Sequence, residues 1–196
     1  MGCCLLAMAA QAQTPPAEVM LVLETSPGTE QAIGLLRARS FAQADRAGVV
    51  TVNGRAVQVL QTPTGDHDAI DAALQRAGIR ITGNAGRVRI NHPATADLAS
   101  AIQQACEQLR RSEFEKHRRG LIVLFASDDP GLPARLDGVR SALHAADARL
   151  YAVLVDRGGM APVLTAQFMA ELAEGSGGTI YRRGWEIKDV LRELRR

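Results

Sequence analysis

Three segments of the sequence combine carboxylates with hydroxyl groups at points where apolar runs end or helical patterns begin. They are Glu24-Thr25-Ser26-Pro27-Gly28-Thr29, Ser127-Asp128-Asp129-Pro130-Gly131 and Thr95-Ala96-Asp97. Carboxylate and hydroxyl oxygens are the ligands that a hard cation such as Mg²⁺ prefers. The same residues also suit a structural role, because serine and threonine cap helices and Asp-Pro-Gly sequences favour turns. The segments therefore indicate either a cation site or a set of capped loops.

The elements that must position these segments are predicted from apolar patterning. Residues 19–23, 121–125 and 150–155 are uninterrupted apolar runs of strand length, which is typical of central strands in a parallel sheet. Ligands of such sheets gather beyond the carboxyl ends of the strands, where the strand order reverses. Two of the three polar segments directly follow such runs, so we expect them to lie at that edge.

An antiparallel pair is predicted between residues 49 and 60. Two β-rich runs there flank Asn53-Gly54, which favours a two-residue type I′ hairpin turn. Val57 and Val59 alternate with polar residues, as on an exposed edge strand. A last short strand is predicted at residues 178–181.

Apolar residues at steps of three or four predict helices between the strands. The stripes are Ile70 and Leu74; Leu98, Ile102, Ala105 and Leu109; Leu136, Val139 and Leu143; Leu164, Phe168 and Leu172; and Ile187, Val190, Leu191 and Leu194. A weaker pattern predicts a helix over residues 31–40, whereas glycine, asparagine and proline predict an irregular loop over residues 78–93. Alternating strands and helices of this kind predict a doubly wound α/β sandwich with right-handed crossovers.

The amino terminus has the pattern of a signal peptide. An apolar run over residues 3–10 is followed by Ala10-Gln11-Ala12, which fits signal-peptidase cleavage after Ala12. The run is far shorter than the roughly 20 residues of a membrane span. No lysine or arginine precedes it, so an upstream start, an atypical signal and an ordinary disordered tail are the alternatives. We predict a signal peptide at residues 1–12, a linker at residues 13–18 and export to the periplasm or the extracellular space.

Composition excludes several classes of protein. The chain has 196 residues, of which 46% are hydrophobic and 22% charged, which excludes a disordered or polytopic membrane protein. The net charge is only +2 and aromatics are 4%, which disfavours nucleic acid as a partner. Cys3 and Cys4 would leave with the signal peptide. Cys106 then has no disulfide partner, and its place on an apolar helix face indicates a buried structural thiol.

Several segments, taken in order, resemble a von Willebrand factor type A (VWFA) domain, most closely its exported bacterial branch. They are residues 19–29, residues 45–50, Thr95 ahead of residues 98–102, residues 121–129 and residues 172–181. The resemblance implies one domain over residues 19–196. It also implies a three-layer α/β/α sandwich around a mostly parallel six-stranded sheet with one antiparallel edge strand.

The resemblance further implies a metal-ion-dependent adhesion site, MIDAS, with Asp-x-Ser-x-Ser after the first strand, a threonine before the third helix and an aspartate after the fourth strand. Glu24 stands in place of the first aspartate, Ser26 matches the first serine, and Gly28 replaces the second. Thr95 fits the threonine. The last acidic position falls on Ser127 in a gapless register or on Asp128 with a one-residue bulge. The implied ligand set, Glu24, Ser26, Thr95 and Asp128, is degenerate, so we expect weak or no Mg²⁺ binding and no other cofactor.

The function predicted from these observations is an exported, non-enzymatic protein-interaction module. Its partner, a protein rather than a nucleic acid, would meet the loops at residues 24–29, 91–97, 127–133 and 156–162. One alternative is metal-dependent ligand binding through the degenerate site. Another is a hydrolase-type enzyme that uses Glu24 and Asp128 as acid and base. A third is a structural subunit of an envelope assembly. The histidines are scattered without ligand spacing.

Overall fold

The computed structural model describes residues 15–26, 29–36, 40–84, 95–114, 117–155, 162–182 and 187–196. The predicted signal peptide, Cys3, Cys4 and Gly28 lie outside the described residues. The strands are β1 (Ala17–Glu24), β2 (Arg46–Asn53), β3 (Ala56–Thr64), β4 (Arg118–Phe125), β5 (Ala148–Leu154) and β6 (Thr179–Tyr181). The helices are α1 (Glu30–Leu35), α2 (His67–Asn84), α3 (Leu98–Arg110), α4 (Leu132–Ala146), α5 (Val163–Gly175) and α6 (Ile187–Leu194).

The strands form one six-stranded sheet in the order β3-β2-β1-β4-β5-β6. All neighbouring strands are parallel except β2 and β3, which are antiparallel, so β3 is the antiparallel edge strand. The three apolar runs became β1, β4 and β5, which lie inside the sheet because their residues are apolar on both faces. The predicted sheet architecture is confirmed.

Helices cover both faces of the sheet and make the three layers. On one face, α3, α4 and α5 bury residues such as Ile102, Val139 and Leu172 against Phe125. On the other face, α1, α2 and α6 pack residues around Tyr151, which is fully buried. Since successive side chains of a strand point to opposite faces, each central strand supplies residues to both cores.

Two predicted boundaries near the first strands are wrong. β1 begins at Ala17, so residues 17 and 18, which were predicted to belong to a linker, lie in the strand. The hairpin turn is made by Gly54 and Arg55, since Asn53 still pairs with Ala56. Gly54 has a φ of 58°, whereas Arg55 does not have a positive φ. This is the pattern of a type II′ turn rather than type I′, because only the first loop residue needs the left-handed region.

Two predicted helix lengths are also wrong. α1 ends at Leu35, because Leu36 turns to an extended conformation (ψ 132°) and places its side chain in the core. α2 continues to Asn84 through the start of the predicted loop. α2 contains two glycines, Gly78 and Gly83. Each lowers helix stability by only about 1 kcal/mol, and neither breaks the hydrogen-bond ladder. Residues 85–94 lie outside the described residues.

A buried carboxylate, Asp45, ties the first strand to the end of the last helix. Its Oδ1 accepts a hydrogen bond from the Ala17 amide (2.8 Å), and its Oδ2 accepts from the Ala42 amide (2.7 Å) and from the Arg195 guanidinium. Buried carboxylates persist only when they are paired in this way. The first residues of β1 and the residue that follows α6 therefore meet at one side chain.

Cys106 is the buried structural thiol that the sequence predicts, on the face of α3 that packs against the sheet. Burial raises the pKa of its thiol to about 12. Because only the thiolate is nucleophilic, we expect Ellman's reagent to leave Cys106 unlabelled at pH 8 in a chain with serine at positions 3 and 4. The same chain in 8 M urea should react fully within minutes. Rapid labelling of the folded chain would contradict this burial.

Candidate functional site

The candidate site lies where the strand order reverses, at the carboxyl ends of β1 and β4. From β1 the chain crosses to β2 on one side, while β4 pairs with β1 on the other. Such a switch point opens a crevice beyond the strand ends. Glu24 is the last residue of β1, and Ala126 and Ser127 directly follow β4. The sheet therefore places the first and last predicted ligand segments side by side.

The Glu24 carboxylate accepts hydrogen bonds from at least four donors of the described residues. Its Oε2 accepts from the backbone amides of Ala126 (2.7 Å) and Ser127 (3.0 Å). Its Oε1 accepts from the hydroxyls of Ser26 and Ser127, both at 2.5 Å. Glu24 is 1% exposed, so these bonds replace water around a buried carboxylate. The side chain bridges β1 to the loop after β4.

Thr29 closes the loop that follows β1. Its hydroxyl donates towards the carbonyls of Glu24 and Ser26, at 2.7 Å each, and accepts from the Ser26 amide at 3.3 Å. Thr29 stands at the N-cap of α1, but its side chain makes no cap hydrogen bond to the helix. The Thr29 hydroxyl therefore holds the loop rather than capping α1, and the Ser26 hydroxyl meets the Glu24 carboxylate.

Thr95 and Asp128 form a second pair beside Glu24. They make an isolated parallel bridge, and the Asp128 carbonyl accepts from the Ala96 amide at 2.8 Å. The exposed Asp128 carboxylate accepts from the Thr165 hydroxyl at 3.2 Å. Thr165, at the start of α5, also accepts from the Asp129 amide at 2.8 Å. Thr165 is not recognisable as a site residue from the sequence, because no local pattern shows which loop its hydroxyl will meet.

The buried acidic side chain of the β4 loop is Asp129. It accepts hydrogen bonds from the amides of Ala99 (3.0 Å) and Gly131 (2.9 Å), which brace the start of α3 and the turn after β4. Asp97, rather than the predicted Thr95, caps α3 by accepting from the Ser100 amide. Burial opposes ionisation of Asp97, but hydrogen bonds from Arg135 and Ser100 outweigh it and lower its pKa.

The predicted metal ligands meet as two pairs. Glu24 lies against Ser26 and Ser127, as the gapless register predicts, whereas Asp128 lies beside Thr95. Both oxygens of Glu24 already accept two hydrogen bonds each, so binding Mg²⁺ there would require breaking contacts to Ser127. Within the described residues, no three acidic, histidine or cysteine side chains group as metal ligands. Metal binding by Glu24, Ser26, Thr95 and Asp128 stays a prediction.

Among the described residues, different donors hydrogen-bond to Glu24 and Asp128, the acid and base of the hydrolase alternative. Hydrogen bonds to Glu24 come from Ser26, Ala126 and Ser127, and the bond to the Asp128 carboxylate comes from Thr165. An acid and base role of these two carboxylates stays a prediction.

An exposed apolar pair adjoins the same edge. Val163 and Leu164 begin α5 directly before Thr165, and they are 73% and 56% exposed. Exposed large apolar side chains beside polar loops are typical of protein-interaction surfaces. Of the four predicted contact loops, residues 27–28, 91–94 and 156–161 lie outside the described residues.

Solved structures of low sequence identity share this fold over nearly its whole length. The VWA domain of SpRpn10 has a TM-score of 0.59 at 14% identity, covering 92% of this chain and 93% of that one. The TFIIH p34 N-terminal domain has a TM-score of 0.62 at 12% identity, covering 93% and 97%. An aerotolerance-related membrane protein from Bacteroides fragilis has a TM-score of 0.61 at 16% identity, covering 91% and 96%.

Sequence comparison adds no family assignment, since no family model and no curated protein matches the chain. None of the described helices combines the length and the hydropathy needed to cross a bilayer. The likeness to the solved structures concerns the fold alone. In this chain the strand order reverses between β1 and β4. The chain has a VWA-like α/β fold.

Proposed function

We propose that the chain is an exported, non-enzymatic protein-interaction module that binds its partner through the carboxyl-edge loops without a metal ion. The observation that carries this proposal is the Glu24 carboxylate, whose four hydrogen bonds join the loops after β1 and β4. In this proposal the carboxylate holds the two loops in a fixed relative position. A metal ion bound by both loops would have the same effect.

Two further observations support an interaction role. VWA-like folds commonly mediate protein–protein interactions, and three solved structures share this fold. Val163 and Leu164 add exposed apolar area beside the exposed Asp128 carboxylate, and such a mixture suits a protein surface better than a small polar ligand. Export is supported by the signal-peptide pattern of residues 1–12 and by the likeness to an aerotolerance-related membrane protein.

The test is partner capture from an extracytoplasmic extract with the full chain, in EDTA and in Mg²⁺. We expect the same partner to be captured in both buffers. Asp128→Ala and Leu164→Ser should each weaken capture about tenfold or more, because both alter the centre of the proposed surface. Asp137→Ala removes the same charge from an exposed site on α4 and should leave capture unchanged.

Two results would overturn the proposal. Capture that requires Mg²⁺, together with Mg²⁺ binding by calorimetry that is lost in Ser26→Ala or Thr95→Ala, would assign the function to the metal-dependent alternative. Capture that Asp128→Ala and Leu164→Ser leave intact would place the interaction surface elsewhere. Melting curves of every variant exclude losses that come from unfolding.

A further inference from the structure

A cleft of about 880 Å³ lies at the amino edge of the sheet, opposite to the Glu24 loops. The first residues of β4 and β5 and the last turns of α4, α5 and α6 form its walls. Its volume falls within the roughly 300–1,000 Å³ of small-molecule sites. We propose that this cleft is a second binding site, which takes a small molecule bearing a phosphate group.

The cleft concentrates positive charge. It is lined by four arginines and two histidines, namely Arg118, Arg119, Arg140, Arg149, His117 and His144. Asp147 is the acidic residue among those that line it. The whole chain carries a net charge of only +2, so the cleft holds a local excess of positive charge that the average composition does not explain.

Two of the arginines are already neutralised. Arg119 faces Glu18, with 3.5 Å between its Nε and Oε2 of the carboxylate, and Arg140 pairs with Asp137 and Glu171. Arg118 and Arg149 form no ion pair with any described residue. Two guanidinium groups are therefore left to meet a ligand.

These two guanidinium groups belong to the same face of neighbouring strands. Gly120 of β4 pairs with Arg149 of β5, and Arg118 stands two residues before Gly120. Side chains two apart in a strand point to the same face, so Arg118 and Arg149 are diagonal neighbours. Leu194 packs over Gly120, where a Cβ would stand 2.9 Å from its Cδ2, and so closes the cleft between them.

Capping of the helix ends does not account for these arginines. The last carbonyls of α4 accept a hydrogen bond from the Asp147 amide, and those of α5 accept from the amides of Ser176 and Gly178. Backbone donors thus satisfy groups that arginine often caps. Glu193, which lies on the face of Arg149, is hydrogen-bonded to the Tyr181 hydroxyl at 2.6 Å. Burial raises the pKa of Tyr151, and an interaction of its hydroxyl with Arg149 opposes that rise, so one guanidinium donor of Arg149 faces Tyr151. The other donors of Arg149 and those of Arg118 are left for a ligand.

The chemistry of the cleft selects an oxyanion. A guanidinium group offers a planar fork of donors that matches phosphate oxygens in pairs, and charge-assisted bonds of this kind are the strong ones. Two forks on one face fit an anion of more than one negative charge.

The test is calorimetric titration of sodium pyrophosphate into the full chain at low ionic strength. We expect wild-type binding, and a dissociation constant at least tenfold higher for the double variant Arg118→Gln/Arg149→Gln, because each lost guanidinium costs about tenfold. The matched control is Arg55→Gln, which removes the same charge from the exposed β2–β3 turn at the opposite edge. Its binding should equal that of the wild type.

Several outcomes would overturn the proposal. They are the absence of heat at millimolar pyrophosphate, undiminished binding by the double variant, and an equal loss in Arg55→Gln. Tighter binding of a polyglutamate peptide than of pyrophosphate would assign the cleft to an acidic protein instead. If the double variant does not melt like the wild type, Arg118→Gln alone provides the comparison, since Arg118 is exposed at the start of its strand.

Discussion

Glu24→Ala should lower the free energy of unfolding by about 3 kcal/mol, because it leaves two buried backbone amides without an acceptor and each such group costs about 1–3 kcal/mol. Those amides belong to Ala126 and Ser127, and neither can rotate towards water. The hydroxyls of Ser26 and Ser127 can turn to other acceptors, so they add less. The measurement is urea unfolding followed by circular dichroism.

Glu24→Gln is the matched control for this prediction. A glutamine oxygen can still accept from both amides, while its amide group donates to the two hydroxyls, which can act as acceptors. We expect a loss of about 1 kcal/mol, from the exchange of charge-assisted bonds for neutral ones. A Glu24→Ala variant as stable as Glu24→Gln would show that these hydrogen bonds do not hold the loops together.

Gly178→Ala should cost about 3 kcal/mol or detach β6, because the added methyl group has no room. A Cβ at Gly178 would stand 2.0 Å from the Leu150 carbonyl oxygen and 2.7 Å from its carbon. Both are backbone atoms of β5, which cannot move without breaking the pairing between β4 and β5. Real Cβ atoms never approach so closely, so the strand end must shift.

Gly78→Ala is the matched control, and we expect it to keep or raise the melting temperature that Gly178→Ala lowers. Gly78 lies in α2, and a Cβ there would meet nothing within 4 Å. Alanine favours helix over glycine by about 1 kcal/mol, so this variant should melt at or above the wild-type temperature. Thermal unfolding of the two variants separates loss of space from loss of backbone freedom. Equal stability of both would contradict the close approach at Gly178.

The sheet could be predicted because its determinants are local. Residues 121–125 are apolar at every position, and only a strand covered on both faces buries all of them. β3, which follows the hairpin turn, alternates apolar and polar residues, and this alternation is typical of an edge strand. Helix ends were less predictable, since Leu36 leaves α1 to fill the core rather than in response to a local stop signal.

The contacts of the candidate site could be predicted only in part. The sequence predicts that Glu24 ends the first strand and that polar residues follow the fourth. It leaves open whether Ser127 or Asp128 faces Glu24, because a one-residue bulge exchanges them and spacing does not reveal it. The buried carboxylates Glu18 and Asp45 could not be predicted either, because their partners are distant in the sequence. Glu18 meets the Ser112 hydroxyl, 94 residues away, and Asp45 meets Arg195, 150 residues away.

The clamp at Asp45 has a mechanical consequence. The start of β1 and the residue after α6 are fastened to the same carboxylate, so a pulling force applied at Ala17 and Arg195 acts first on that clamp. Such a force loads the Asp45 clamp before it loads the pairing of β1 with its two neighbours, β2 and β4. Both points at which the force is applied lie at the edge of the sheet opposite to the Glu24 loops. Tension on the fold would therefore be absorbed far from the surface that meets a partner.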